Sequence, residues 1–231
     1  TVVENNKYEA DHSTIKSCTI SISSENNKYG TQPMSYEYTY SEEPEAKLQS
    51  IQSALGNENI SYDKLGRVHK IDLAPLTKEF AYLKQGNYTS NLVSKINFAT
   101  NNVINDNLTY KYDEKGNITE VRQYNKLIAR YKYDSLSRIV REDNEAFNTT
   151  TTFDYDAGGN ILCKKVYSFT VIDNLDFEEE LPNIPYTFPI SGWRDQLLSY
   201  NGKSFEYDNL GNPTKYRNNK LVWSHSRQLD K

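Results

Sequence analysis

Five carboxylates recur at one local setting: Asp63, Asp113, Asp134, Asp156 and Asp208 each follow a tyrosine (Tyr62, Tyr112, Tyr133, Tyr155, Tyr207). Repeated carboxylates could supply general acids and bases, but that chemistry needs two groups held in different surroundings, not five in the same one. His12, His69 and His225 could pair with a nucleophile. Two of them sit near the chain ends, His69 lies just past a turn, and none has a flanking nucleophile motif. Gly158-Gly159-Asn160 lacks the spacing of a phosphate-cradling loop, and Glu178-Glu179-Glu180 among prolines reads as a solvated loop that could at most attract a cation. Cys18 and Cys163 stand 145 positions apart without a C-x-x-C. Either they form a disulfide or they are two unpaired small residues, the second being the better reading. The sequence thus predicts no catalytic residue, no metal site and no cofactor.

What the aspartates do follows from the elements around them. Aligned on Tyr-Asp, the five segments share Y-D-x-x-G-[NR]-[IVP], with Gly66, Gly116, Gly159 and Gly211 at the fifth place and Ser137 in the third copy. The central spacings are 21 and 22 residues, and the outer gaps of 50 and 52 each hide a degenerate copy or an insertion. Before each Tyr-Asp, aromatics alternate, as in Tyr110-Lys111-Tyr112, Tyr131-Lys132-Tyr133 and Phe153-Asp154-Tyr155, which is one aromatic face of a β-strand. Asp then opens a turn by accepting from backbone N–H groups ahead of it. Gly supplies positive φ for a type I turn that closes into a bulge. Ile or Val restarts a strand. Each unit is therefore a β-hairpin, with second turns near Asn125-Lys126 and Asp143-Asn144-Glu145. Ser137 should carry strain, so Ser137→Gly is expected to stabilise by roughly 1 kcal/mol.

A lone hairpin is marginal in water, so the repeats must pair into one long, curved, twisted antiparallel sheet in an all-β fold. Composition agrees. The 231 residues have a mean hydropathy of -0.81, and Leu, Ile, Val and Phe (18, 15, 10 and 8) fall near the disorder boundary, but 19 Tyr supply the missing apolar surface. A net charge of -4 with scattered basic residues argues against nucleic acid, and no apolar run is long enough for a membrane span. Thr1-Val2-Val3-Glu4 reads as the start of a fragment of a longer protein.

Two stretches break the rhythm. Residues 43–55 crowd Pro and Glu at the start, place Leu48, Ile51 and Leu55 on one face and end at Gly56, which predicts a short helix. Residues 168–192, with Pro182, Pro185 and Pro189, predict a surface loop insertion. The organisation expected is an N-terminal degenerate repeat (1–59), hairpins (60–167), the acidic, Pro-rich loop (168–192) and closing hairpins (193–231).

Five copies of the motif resemble the YD repeats of the Rhs family, found in bacterial polymorphic toxins, wall-associated proteins, the C component of insecticidal toxin complexes and teneurins. The likeness covers most of residues 60–231. The closing stretch, with Trp193-Arg194-Asp195, Tyr207-Asp208-Asn209-Leu210-Gly211-Asn212, Trp223 and Arg227-Gln228-Leu229, is similar to that of wall-associated Rhs proteins of Firmicutes, except that Ser226 stands where Gly is frequent. The resemblance implies a secreted or cell-surface protein whose sheet is a strip of a shell around a C-terminal toxin. Its partners would be neighbouring repeats and that toxin, and any autoproteolytic or toxic activity would lie downstream. A second reading is a carbohydrate- or cell-wall-binding module stacking sugars on Trp193 and Trp223. Unpaired sheet edges predict self-association.

Overall fold

The computed structural model describes residues 2–8, 14–22, 34–42, 46–173, 183–216, 219–225 and 228–230. Strands account for nearly all of the ordered secondary structure, and no helix occurs among the described residues. In chain order they are β1 (Val2–Tyr8), β2 (Ile15–Ile22), β3 (Met34–Tyr40), β4 (Leu48–Ser53), β5 (Gly56–Tyr62), β6 (Val68–Leu73), β7 (Leu76–Gln85), β8 (Tyr88–Thr100) and β9 (Val103–Tyr112). They continue as β10 (Ile118–Gln123), β11 (Lys126–Tyr133), β12 (Ile139–Asn144), β13 (Thr149–Tyr155), β14 (Ile161–Ser168), β15 (Ile184–Thr187), β16 (Ser199–Tyr200) and β17 (Lys203–Ser204). These seventeen form a single antiparallel sheet built from consecutive hairpins. Two small ladders follow, β18 (Lys215–Tyr216) with β19 (Asn219–Lys220), and β20 (Trp223–Ser224) with β21 (Gln228–Leu229).

Over 46–55, the described part of the helix expected at 43–55, no helix occurs: Leu48–Ser53 is strand β4, paired with Tyr40–Glu37 on one side and Asn59–Gly56 on the other. Helical spacing of Leu48, Ile51 and Leu55 is a weak local preference, and pairing on both edges overrides it. Leu55 lies in the two-residue turn Ala54-Leu55 and is 84% exposed. Within 168–192, Ile184–Thr187 is a strand paired with β14 and β16, while Glu178–Glu180 and Pro182, like His12, lie outside the described residues.

The chain divides into two compact units, Thr1–Tyr110 with Gln123–Asn125, and Lys111–Arg122 with Lys126–Lys231. In the first, strand register sorts the side chains by face. The row Thr39, Ser50, Asn59, Asp72, Thr77, Ala99 runs across six strands on one face, tied by Thr77 Oγ1 donating to Asp72 at 2.7 Å and by a Lys70–Asp72 ion pair of 2.9 Å. The opposite face carries Tyr38, Ile51, Ile60, Ile71, Phe80, Ile96, Phe98 and Leu108, all half-buried. Glu58 and Lys78 share that face by register, and Thr77 and Ala99 of the polar row are buried, so alternation sorts a mainly apolar face from a mainly polar one.

In the second unit a row across β11–β14 is Arg130, Asp143, Thr150, Tyr167, with Asp143 and Thr150 fully buried. Asp143 accepts from Arg130 Nε and Arg141 Nε, both at 2.7 Å, and lies 3.0 Å from the Thr150 hydroxyl. Residues 170–173 cross this row: the Thr170 N–H donates to Thr150 Oγ1, Arg141 Nη2 donates to Thr170 C=O, and Asp173 pairs with Lys132 at 2.8 Å. The buried apolar side chains among the described residues are few, Cys18, Ala99, Ala129 and Tyr167, so order rests on half-buried aromatics and on polar networks.

Candidate functional site

The repeated tyrosine–aspartate turns are the most organised chemistry in the molecule. Each Asp N–H donates to the carbonyl four residues ahead, and each Asp C=O accepts from the N–H three ahead, at 2.8–3.2 Å in all five copies. Residue five of the motif sits at positive φ: 76° for Gly66, 85° for Gly116, 94° for Gly159, 81° for Gly211 and 62° for Ser137. Register shifts at Tyr62, Tyr133 and Tyr155 mark the accompanying bulges.

The carboxylate fills the turn. Its Oδ1 accepts from two backbone N–H groups, as from Lys115 at 2.9 Å and Asn117 at 2.8 Å in the Asp113 turn. Its Oδ2 accepts from the side chain four residues on: Arg67 Nε, Asn117 Nδ2, Arg138 Nε, Asn160 Nδ2 or Asn212 Nδ2. Asn and Arg share this motif position because each places an N–H donor there. These donors hold all five carboxyls below the usual range; the main cause is the Arg67, Asn117, Asn160 or Asn212 side chain, and for Asp134 the Arg138 backbone N–H. Such a group is ionised and occupied, suited to holding a loop and ill suited to passing protons.

The same residues link one turn to the next. Arg67 reaches Ser90 C=O and Thr89, Arg138 Nη1 donates to Asp156 C=O at 2.8 Å, Lys115 Nζ to Ser135 C=O at 2.6 Å, and Asn117 Nδ2 to Ser137 Oγ at 3.1 Å. Arg67 and Arg138 also lie over the rings of Tyr82 and Tyr155, at 3.9 and 4.6 Å from the centroids, and Lys47 lies 5.6 Å over Tyr62.

The tyrosines form a second ladder. Tyr62, Tyr133, Tyr155 and Tyr207 donate to the carbonyls of Leu48, Ile118, Ile139 and Leu197, each at 2.7 Å. Burial pushes the Tyr133, Tyr155 and Tyr207 phenols above their usual range, keeping them donors. Two members have no Tyr-Asp signature. Tyr82 donates to Val68 C=O at 2.7 Å, and Tyr40 to Ile15 C=O at 3.0 Å. Tyr82 follows Tyr62 by 20 residues and closes Phe80-Ala81-Tyr82, so period and alternation could have found it. After Tyr40, Ser41 replaces the aspartate: its N–H donates to Lys47 C=O and its Oγ accepts from the Lys47 N–H at 2.9 Å, in a turn two residues longer.

Trp193 lies with its ring against Gly211, where an added Cβ would stand 2.1 Å from Cζ3, and is 55% exposed. Trp223 is half-buried and its indole N–H donates to Pro213 C=O at 2.6 Å. Cys18 and Cys163 are free thiols. His69 is exposed on β6 and His225 sits in a turn at φ 45°. The Arg130–Asp143–Arg141 cluster escaped the sequence reading; charged residues alternating into a strand face, as in Arg141-Glu142-Asp143, were its only signal.

No family model and no curated protein matches the chain. Solved structures do. The crystal structure of TcdB2–TccC3 matches with a TM-score of 0.60 at 14% identity, over 94% of this chain and 14% of that one. TcdB2–TccC3–Cdc42 gives 0.55 at 14% identity over 94% and 14%, and TcdB2–TccC3–TEV gives 0.53 at 12% over 96% and 15%. The chain spans about one-seventh of the length of the chains it matches. At that identity the likeness is one of fold: this hairpin sheet has the architecture of a stretch of the TcdB2–TccC3 structures.

Proposed function

We propose that this chain is a non-catalytic wall segment of a secreted or surface-attached Rhs/YD-repeat protein, one strip of a shell that encloses and delivers a C-terminal toxin. The observation that carries the reading is the repeat itself: turn, carboxylate and tyrosine hydroxyl recur with the same partners along a sheet whose fold resembles TcdB2–TccC3. A wall needs stiffness without a deep core, and cross-linked turns on one rim supply it. The half-buried aromatic face would then line the cavity, offering a non-native chain many weak contacts and no single pocket. Carbohydrate binding is the weaker reading, because Trp223 spends its N–H internally and one side of Trp193 lies on Gly211.

Limited proteolysis of the parent protein tests the enclosure. The segment downstream of the repeats should resist cleavage until the wall is denatured; immediate cleavage in the folded protein would refute it. Solution scattering of this chain should give a curved, open strip, and a solid sphere would count against the wall.

A further inference from the structure

Away from the turns, one face of the second unit carries an uneven distribution of charge. By register, Arg130, Asp143, Thr150 and Tyr167 form one row across β11–β14, and Lys132, Arg141, Thr152 and Lys165 form the next row on the same face. Four cations share these eight places with one carboxylate, in a chain whose net charge is -4. That carboxylate is spent: Asp143 Oδ2 accepts from Arg130 Nε, and its Oδ1 accepts from Arg141 Nε and the Thr150 hydroxyl. Arg141 is spent too, its Nη2 on Thr170 C=O and its Nη1 on Asp173 C=O. The next carboxylate on this face, Asp154, stands one row further on, opposite Cys163. Arg130 and Lys132 therefore take their remaining counter-charge from outside the sheet. Asp173, which ends the crossing segment 170–173, places its Oδ1 2.8 Å from Lys132 Nζ and 3.2 Å from Arg130 Nη1. The Asp173, Lys132 and Arg130 side chains are 66, 42 and 18% exposed, so solvent reaches the seat. The hydrogen bond from Lys132, and after it the charges of Lys132 and Arg130, hold the Asp173 carboxyl below its usual range, which shows that the pair favours an anion. Arg130 Nη2 is buried with no hydrogen-bond partner among the described residues, a donor that Asp173 leaves unused. The backbone of the segment is anchored separately, by Thr170 N–H and C=O on the Thr150 hydroxyl, each at 3.0 Å. The Asp173 carboxylate can thus leave while Thr170 stays seated.

We propose that Arg130 and Lys132 form a binding site for an external carboxylate, and that Asp173 is its internal, displaceable occupant. The ligand class follows from what already sits there: a carboxylate bridges the two cations, and a guanidinium with a donor to spare matches a planar anion with two oxygens. Asp173 is a weak competitor, because an ion pair this exposed gains little over water. Its tether nonetheless keeps it at high local concentration, so an external carboxylate binds the intact chain less tightly than a chain without Asp173. With the seat empty, two charge-assisted hydrogen bonds support a dissociation constant for a simple carboxylate on the order of 10 mM. The site stands apart from the wall reading.

Proton–nitrogen NMR spectra test it, with sodium acetate titrated at neutral pH against sodium chloride at equal ionic strength. In Asp173→Ala, acetate should shift the Arg130 Nε–H and Thr170 amide signals and saturate near the constant given, while chloride should not. The wild-type chain should need at least tenfold more acetate, and Asp173→Ala with Lys132→Gln should lose the response. Circular dichroism checks the fold; Asp173→Asn, which keeps the size of the side chain, serves if alanine disturbs it and should also bind acetate more tightly than the wild type. A capped peptide of six glutamates separates the two sources of the carboxylate: binding at least tenfold tighter than acetate assigns an acidic polypeptide segment, and equal binding assigns a small free carboxylate. No saturable acetate shift in Asp173→Ala, an equal response to chloride, a response that survives Lys132→Gln, or wild-type binding as tight as that of Asp173→Ala would each overturn the proposal.

Discussion

Ser137 is the one tyrosine–aspartate turn in which a side chain occupies the left-handed position, at φ 62°. For a non-glycine residue that conformation costs about 1–2 kcal/mol, and glycine's greater freedom in the unfolded chain returns about 0.5–1 of it, leaving about 1 kcal/mol in favour of Ser137→Gly. The structure adds an opposing contribution that the motif alone could not reveal. Ser137 Oγ accepts from Asn117 Nδ2 of the preceding turn at 3.1 Å, and losing one exposed hydrogen bond costs about 0.5 kcal/mol. The net expected gain is therefore about 0.5 kcal/mol. In an Asn117→Ala background the bond is already gone, so the same substitution should gain about 1 kcal/mol there. Urea unfolding followed by circular dichroism on all four chains closes the cycle, with the difference between the two gains measuring the turn-to-turn bond. Destabilisation by Ser137→Gly in both backgrounds would refute the strain argument, and equal gains would show that the link between the turns contributes nothing.

Asp143→Ala should destabilise by about 3–5 kcal/mol in the same urea assay, because it strands the Arg130 and Arg141 guanidinium groups in a buried site; a loss below about 1 kcal/mol would mean that water reaches the cluster. Gly159→Ala should cost about 1 kcal/mol for positive φ alone, and Gly211→Ala clearly more, since its methyl would also displace the Trp193 ring; thermal melts showing the reverse order would contradict the packing of that tryptophan. The depressed carboxyls of Asp63, Asp113, Asp134, Asp156 and Asp208 stabilise the fold above the unfolded aspartate value near about 3.9, and that contribution is lost as pH falls through the lower folded values. The urea midpoint should therefore drop steeply from about pH 4 downwards and less steeply in Asp113→Asn; a flat profile there would contradict the turn geometry.

The hairpins, their antiparallel order and the aromatic face could be read in the sequence because each depends on contacts a few residues apart. Alternation sets a strand's face, and Tyr-Asp-x-x-Gly sets a turn, whatever lies beyond. Where the turn chemistry was degenerate the reading failed. Ser41 with Lys47 makes the same closure as Asp63 with Arg67, but hidden by a longer loop and a helix-like spacing of Leu48, Ile51 and Leu55, and only pairing with β3 and β5 decided for a strand. Tyr82 entered the ladder without an aspartate because its partner is a carbonyl, which any residue provides. The buried Asp143 cluster is closed by the Thr170 carbonyl, 29 residues beyond Arg141, the Trp193 ring seats on Gly211 of a later turn, and the exposed Leu55, Leu76 and Val103 belong to three different hairpins, so none of these is settled within one turn. Sequence alone determined the repeating unit, since a turn is closed by its own atoms; tertiary structure alone decided which charges were buried and which apolar residues stayed bare, since burial depends on what the neighbouring strands bring.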